Sequence, residues 1–190
     1  MAASRLAATP SRCARMVRGM AVHPIRYLPE PVLRQKAKRV PNASHPDAAL
    51  QRLIDDMIES MYAARGVGLA APQIGVSLRL VVIGIPEEEP FALINPEVVK
   101  VSGERLLDEG CLSVPGYRAE VRRHRIVTAK GVNREGKDVR IKARDNLLAQ
   151  ALEHEIDHTN GILYIDHLDS LDELVKLEPG ESISREAATS

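Results

Sequence analysis

The stretch NLLAQALEHEIDHTN at residues 146–160 predicts an amphipathic helix, and the rest of the chain can be interpreted around it. Asp145 is placed to cap the start of this helix and Gly161 to end it. One face has apolar and imidazole side chains at helical spacing, namely Leu147, Ala151, His154 and His158. The two histidines therefore extend a surface that faces the core.

A further helix and several strands precede this stretch. Pro46 and Asp47 open a run with apolar residues at helical spacing that closes at Gly66. Five segments then have strand composition: LRLVVIGI at 78–85, FALINPEVV at 91–99, RAEVRR at 118–123, RIVTAKGV at 125–132 and KDVRIKA at 137–143. Short turns separate them, so we predict an α+β fold with antiparallel strands packed around the helix 146–160.

The length of 190 residues and the hydrophobic content of 44% fit one globular domain. Residues 1–19 are rich in Ala, Ser and Arg, which is typical of a targeting leader; a disordered leader before a true start at Met20 is the alternative. Residues 179–190 form a polar segment without periodicity and are predicted to be a disordered tail. The catalytic domain is then expected at 20–178.

Charge and cysteine content exclude several classes of protein. The first 29 residues contain five arginines and no acid, which leaves 21 basic and 26 acidic residues in the remainder. With no basic run in the predicted domain, nucleic acid is not expected as a substrate. Cys13 and Cys111 are the only cysteines, so the chain lacks a disulfide framework and fits a reducing compartment. No apolar run approaches the roughly 20 residues of a membrane span.

The motif HEIDH at residues 154–158 has the spacing of a metal site. His154 and His158 are four residues apart, which places both imidazoles on one helix face, and Glu155 projects beside them. Such a pair can share a metal ion while the carboxylate acts as a base. The central helix is therefore predicted to bind metal, and a third ligand is needed.

Several residues compete for the third position. In the extended metalloprotease pattern a third histidine would stand where this chain has Tyr164. A zinc peptidase would instead use a downstream acid, for which the candidates are Glu173, Glu178 and Glu181. His167 lies beyond the helix end, where a surface turn is expected. A structural metal site would need four protein ligands, and only three are convincing.

Cys111 is the preferred third ligand. It follows Gly110 in the stretch EGCLS at 109–113, where glycine permits close backbone approach and the thiolate can point inward. A small buried hydrophobic residue is the alternative interpretation of a free cysteine.

The stretch GVGLAAPQIG at 66–75 is similar to a dinucleotide fingerprint, but a helix precedes it and Pro72 follows, so that interpretation is rejected. We predict a glycine-rich loop that exposes its backbone to an extended peptide. The amide of Gln73 at its end can donate to an oxygen that gains charge during a reaction.

Together, GVGLAAPQ, EGCLS and HEIDH resemble the three motifs of the peptide deformylases, in order and with suitable separations. The resemblance covers about residues 20–170. Two positions differ from the usual pattern: Glu153 stands where glutamine is common and Thr159 where an apolar residue is usual. The resemblance implies removal of the formyl group from the N-terminal methionine of new polypeptides, with release of formate.

The resemblance also implies roles for particular residues. Cys111, His154 and His158 would bind one divalent metal, Fe²⁺ above all, with Zn²⁺, Ni²⁺ or Co²⁺ able to replace it. Glu155 would move the protons, and Gln73 with the backbone N–H of Leu112 would hold the oxyanion. The substrate would contact Gly66, Val67, Gly68, Arg118 and Leu147, with Leu107 and Ala151 completing an apolar socket for methionine.

Next to the histidines, Asp157 is expected to form a structural salt bridge with Arg123. The partners implied are N-formyl-methionyl nascent peptides at the ribosome, with no membrane. Because the segment from Met20 resembles a bacterial start, the bacterial cytoplasm is the expected location. Targeting to an organelle by residues 1–19 is the alternative.

Overall fold

A computed structural model of the chain describes residues 21–178. The predicted leader (1–19) and tail (179–190) lie outside the described residues. Within the described range, no helix is long and apolar enough to cross a membrane.

The first helix, α1 (Ala48–Ala63), begins as the sequence predicted. The carboxylate of Asp47 accepts a hydrogen bond from the backbone N–H of Leu50 at 2.8 Å, which satisfies one of the free donors of the first turn. The helix buries an apolar stripe that packs against the sheet: Leu50, Ile54, Met57 and Met61.

The strands form one antiparallel sheet. They are β1 (Gly68–Ala70), β2 (Leu80–Ile83), β3 (Phe91–Cys111), β4 (Val114–Val132), β5 (Asp138–Arg144) and β6 (Val175–Lys176). The first five follow one another in the order of the sequence, and β6 pairs with β4. Within residues 21–178, four single turns of 3₁₀ helix accompany them, at Pro31–Arg34, Ala71–Ile74, Tyr164–His167 and Leu171–Glu173.

The hairpin of β3 and β4 is much longer than predicted. Residues 118–123 and 125–132 belong to one strand, and β3 continues past 99 to Cys111. Its pairing has register shifts near Ile94, Val98 and Gly110. Cys111 pairs with Val114, so a tight turn of two residues, Leu112 and Ser113, closes the hairpin beside the cysteine.

The predicted loop at 66–75 is partly regular, which corrects the sequence interpretation. Gly68–Ala70 pairs with β2 as an edge strand, and Ala71–Ile74 forms a 3₁₀ turn that contains Gln73. Three-residue strands carry too little periodicity to be recognised in a sequence.

The second helix, α2 (Leu147–Thr159), has the predicted extent but a different cap. Asn146 accepts a hydrogen bond from the N–H of Ala149 at 3.0 Å, whereas Asp145 has a left-handed φ of 49° and pairs with Arg125. Gly161, with φ of 77°, ends the helix as predicted. The buried face of α2 packs on the sheet through Ala149, Ala151, Leu152 and Ile156. The α+β prediction is therefore confirmed.

Candidate metal centre and active site

Three candidate metal donors converge where the β3–β4 turn meets α2. Ligand atoms of Cys111, His154 and His158 lie within 4.8 Å of one another, and Sγ of Cys111 is 3.1 Å from Nε2 of His158. Cys111 is 9% exposed and His158 is 1% exposed. The thiol and imidazoles come from elements about forty residues apart, so only the fold brings them together.

A buried carboxylate orients His154. Nδ1 of His154 donates to Oε2 of Glu109 at 3.0 Å, which leaves Nε2 for the centre. Glu109 also accepts two hydrogen bonds from Arg123, at 2.9 and 3.0 Å. No role was predicted for Glu109 from the sequence, although it opens the stretch EGCLS that contains Cys111.

The expected salt bridge of Asp157 with Arg123 is present. Nη1 of Arg123 donates to Oδ2 of Asp157 at 2.6 Å, and Nε2 of His167 lies 2.8 Å from the same oxygen. His167 therefore belongs to this ion-pair network and stands outside the cluster of candidate donors. The network links α2 to β4 behind His154.

The donors fit a divalent cation such as zinc or ferrous iron, since one soft thiolate and two imidazoles suit both metals. Burial disfavours the thiolate of Cys111, but the charge of His158 and hydrogen bonds from both histidines hold its pKa well below the usual value. The ring nitrogen Nδ1 of His158 is buried and has no hydrogen-bond partner within residues 21–178. The set therefore has the geometry that metal binding needs, and the lowered pKa of the Cys111 thiol favours the thiolate form that ligates a metal.

Glu155 is 5% exposed and lines the cleft next to the three donors. Burial raises the pKa of Glu155 to about 7, although the nearby charges of His154 and His158 act in the opposite direction. Its Oε2 is buried and has no hydrogen-bond partner in the described part of the chain. A carboxylate in this state can exchange protons near neutral pH.

Gly68 permits Glu155 to occupy this position. A β-carbon built on Gly68 would lie 2.7 Å from both Cγ and Cδ of Glu155, closer than such contacts occur. The glycine is needed for close approach of β1 to α2, which is what its predicted place in a glycine-rich segment suggested.

The amide of Gln73 is held in one orientation. Its Oε1 accepts from the N–H of Ala70 at 2.8 Å, so Nε2 points towards Sγ of Cys111 at 3.6 Å and Oγ of Ser113 at 3.3 Å. Leu112 lines the same cleft from the hairpin turn. Gln73 and Leu112 therefore line the same cleft as the three candidate metal donors.

The cleft beside the donors has a volume of about 760 Å³. Its lining includes six predicted substrate contacts: Gly66, Val67, Gly68, Leu107, Leu147 and Ala151. Among the described residues, Arg118 is not part of this lining. It forms an ion pair at 3.1 Å with Asp108, which does line the cleft. Arg65 and Arg105 also line the cleft, and sequence reasoning had no pattern that would select them.

The downstream acids considered for a zinc peptidase do not join the donors. Among residues 21–178, the cluster that could hold a metal contains Cys111, His154 and His158, whereas Glu173 and Glu178 lie outside it. Glu181 lies outside the described residues.

Comparisons with known proteins agree with this geometry. Residues 22–174 match the family model described as polypeptide deformylase. A peptide deformylase of Dehalococcoides mccartyi is 55% identical over 168 residues, which cover 88% of this chain and 98% of the relative. A peptide deformylase of Agrobacterium fabrum is 48% identical over 157 residues, covering 80% and 90% of the two chains.

Solved structures give the same result. A peptide deformylase from Legionella pneumophila superposes with a TM-score of 0.75 at 50% identity, over 80% of this chain and 89% of that one. A peptide deformylase from Acinetobacter baumannii with Met-Ala-Ser bound superposes with a TM-score of 0.75 at 31% identity, over 79% and 100%. With the family match, these relatives and the Cys-His-His cluster on the same chain, this protein belongs to the polypeptide deformylase family.

Proposed function

We propose that this chain carries out the reaction of its family at the centre formed by Cys111, His154 and His158. That reaction removes the formyl group from the N-terminal methionine of newly made polypeptides and releases formate. The observation that carries the assignment is the convergence of the three donors within 4.8 Å, beside the buried carboxylate of Glu155. The catalytic domain would span residues 20–178, a range that contains the family match.

The metal would be ferrous iron, with zinc, nickel or cobalt able to replace it. The mixed sulfur and nitrogen donor set supports this group of metals. A bound divalent cation supplies Lewis acidity, which lowers the pKa of water from 15.7 to about 7 and polarises a carbonyl group. Glu109 and Arg123 contribute by fixing the ring of His154.

Glu155 would act as the proton carrier. With its pKa raised to about 7, the carboxylate can accept a proton from the attacking water and later deliver it to the leaving nitrogen. Its burial and the close approach of Gly68 keep it directed at the cleft. Because one residue serves both steps, its replacement should abolish turnover without emptying the centre.

Gln73 and Leu112 would stabilise the oxygen of the formyl group as it gains negative charge. The side-chain amide of Gln73 is oriented by Ala70, so its N–H donors need no rearrangement during reaction. The backbone N–H of Leu112 would be the second donor. Preorganised donors of this kind contribute about 10²–10³ in rate each.

The substrate would lie along the outer edge of β1. This strand ends the sheet, so its outer edge is available to pair with an extended peptide, and Gly66, Val67 and Gly68 line the cleft there. The methionine side chain would enter the apolar pocket between Leu107, Leu147 and Ala151. Arg118 would act from the rim through its ion pair with Asp108. The Acinetobacter baumannii relative was solved with Met-Ala-Ser bound, which supports a short peptide that begins with methionine as the class of ligand.

Nascent chains at the ribosome of a bacterial cytoplasm would be the natural substrates. The bacterial origin of the matched relatives supports this location.

Formate release from formyl-Met-Ala-Ser by the metal-loaded chain tests the assignment. We expect activity in the wild type, a metal-bound but inactive Glu155→Ala variant, and a Cys111→Ser variant that is impaired in metal binding. Cleavage of an unformylated peptide without formate would contradict the proposal and favour a zinc peptidase. A fully active Cys111→Ser variant with normal metal content would remove the cysteine from the centre.

A further inference from the structure

The outer face of the sheet formed by β3, β4 and β5 carries a cluster of cations, and by the same register it also carries three acids: Glu97, Glu104 and Asp138. Pairing places Lys100 opposite Thr128 and Thr128 opposite Lys142, so the two lysines lie in one row across three strands. Because side chains alternate along a strand, Arg140 and Arg144 share this face with Lys142. We call these four residues, Lys100, Arg140, Lys142 and Arg144, the basic face.

The basic face is turned away from the active site. The opposite face of the same strands carries Val127, Ala129 and Ala143, which pack against α2. The residues that line the cleft and those that line the concavity on the basic face have no member in common. A partner bound at one surface therefore leaves the other accessible.

The four cations have no acidic partner within ion-pair distance in the part of the chain that the structure describes. Neighbouring cations do have one: Lys130 lies 2.9 Å from Glu97, and Arg122 lies 3.2 Å from Glu104. Exposed like charges in adjacent rows repel one another, which opposes folding slightly. An anionic partner would remove this repulsion.

The shape and lining of the face indicate the class of partner. Lys100, Arg140 and Lys142 surround a shallow concavity of about 440 Å³, together with the hydroxyl groups of Ser102 and Thr128. The remaining lining residue is Ile126, which is half-buried, so the described lining offers no aromatic ring for base stacking and little apolar surface for a membrane. Lysine, arginine and hydroxyl groups are typical contacts of a phosphate backbone.

We propose that the basic face binds the phosphate backbone of structured RNA, without reading its sequence. The choice of RNA over other polyanions rests on the proposed function, because newly made polypeptides emerge from an RNA-rich particle. RNA would be a docking partner and not a substrate. Sequence reasoning missed this surface because its cations are separated along the chain and only strand register brings them together.

The test uses the full chain loaded with metal and a fluorescein-labelled RNA duplex of about 16 base pairs. Binding is measured by fluorescence anisotropy of the labelled duplex at several salt concentrations. The test variant is Lys100→Gln combined with Lys142→Gln. Its matched control is Lys36→Gln with Arg52→Gln, which changes the net charge equally at two exposed positions elsewhere. Formate release is measured on every preparation, so loss of the enzyme reaction is separated from loss of RNA binding.

We expect the wild type and the control to bind the duplex, and the test variant to bind at least about tenfold more weakly, with a salt slope lower by about 2. Formate release should be unchanged in both variants. Equal weakening in the control would show that net charge alone acts and would overturn the proposal. Absence of RNA binding together with binding to anionic vesicles would assign the face to a membrane instead.

Discussion

Nδ1 of His154 lies 3.0 Å from Oε2 of Glu109, so a carboxylate on β3 fixes the ring of a candidate metal donor on α2. Arg123 holds the same carboxylate through two hydrogen bonds, which prevents it from turning away. The enzyme removes the formyl group from nascent peptides in a metal-dependent reaction, and this relationship determines how firmly the metal should be held.

Replacing Glu109 with Gln should weaken metal binding by about 10–100-fold, because an amide is a weaker acceptor for the imidazole N–H and leaves Arg123 with Asp157 as its remaining counter-charge. Competition with a chelator would measure the change. Glu104→Gln is the matched control, since Glu104 lies on the same strand in an exposed ion pair. Equal metal affinity in the two variants would contradict the role of Glu109.

Replacing Gly68 with Ala should lower kcat at least about tenfold while the metal content stays near one per chain, since the added methyl group displaces Glu155 and misplacement of about 1 Å can cost 10²-fold. Gly66→Ala is the comparison, because the three nearest neighbours of a β-carbon there belong to Gly68, Leu112 and Met61 and not to Glu155. Steady-state kinetics with metal analysis would check this. A Gly68→Ala variant as active as wild type would show that Glu155 has room to move.

Replacing Gln73 with Ala should lower kcat by about 10²–10³ with a smaller effect on KM, because its amide would act mainly as charge develops on the oxygen. Ser113→Ala provides the control, since Ser113 accepts from the same amide but is not assigned to the reaction. If only KM rises in Gln73→Ala, the amide contributes to substrate binding instead.

Replacing Asn146 with Ala should destabilise the protein by about 1 kcal/mol, since it removes the acceptor for the N–H of Ala149. Asp145→Asn should cost less, because asparagine tolerates a left-handed backbone and only an exposed ion pair with Arg125 is lost. Urea unfolding of the two variants would measure both changes. A larger loss in Asp145→Asn would restore the cap that the sequence predicted.

Removing the metal with a chelator should lower the melting temperature by about 5–10 °C, since a ligand at about 100 times its Kd stabilises a folded protein by about 2.7 kcal/mol. Added zinc or nickel should restore the melting temperature. Identical melting curves with and without chelator would show that the centre does not support the fold.

Iron-loaded enzyme should lose activity in air faster than nickel-loaded enzyme, because a ferrous centre beside a thiolate is prone to oxidation. Formate release measured after timed exposure to air would compare the two. Equal tolerance of oxygen would contradict this prediction.

Local sequence predicted the features that depend on local periodicity. The helical spacing of Leu147, Ala151, His154 and His158 identified α2, and α1 was equally clear. That stripe lines the cleft through its first three members, whereas the face packed on the sheet is the neighbouring one with Ala149, Leu152 and Ile156. Cys111 could be selected as third donor because its flanking residues form part of a recognisable motif. These features need no knowledge of which strands pair.

The features that were missed depend on tertiary contacts. In the exposed middle of β3, Gly103 is followed by two adjacent charges, Glu104 and Arg105, which interrupt the alternation of apolar and polar residues that marks a strand. Asp145 and Asn146 are both good capping residues, and only the backbone conformation decides between them. Glu109 appears as an ordinary acid until strand pairing brings Arg123 against it.

The two-residue turn at Leu112 and Ser113 has a consequence for biosynthesis. Cys111 stands at the tip of a local hairpin, whereas both imidazoles arrive with a helix about forty residues later, so no fragment ending before α2 holds the complete donor set. Long-range contacts of this kind form late in folding. An incomplete or misfolded chain should therefore be inactive. Release of formate then shows that the tertiary structure is complete as well as that the chemistry occurs.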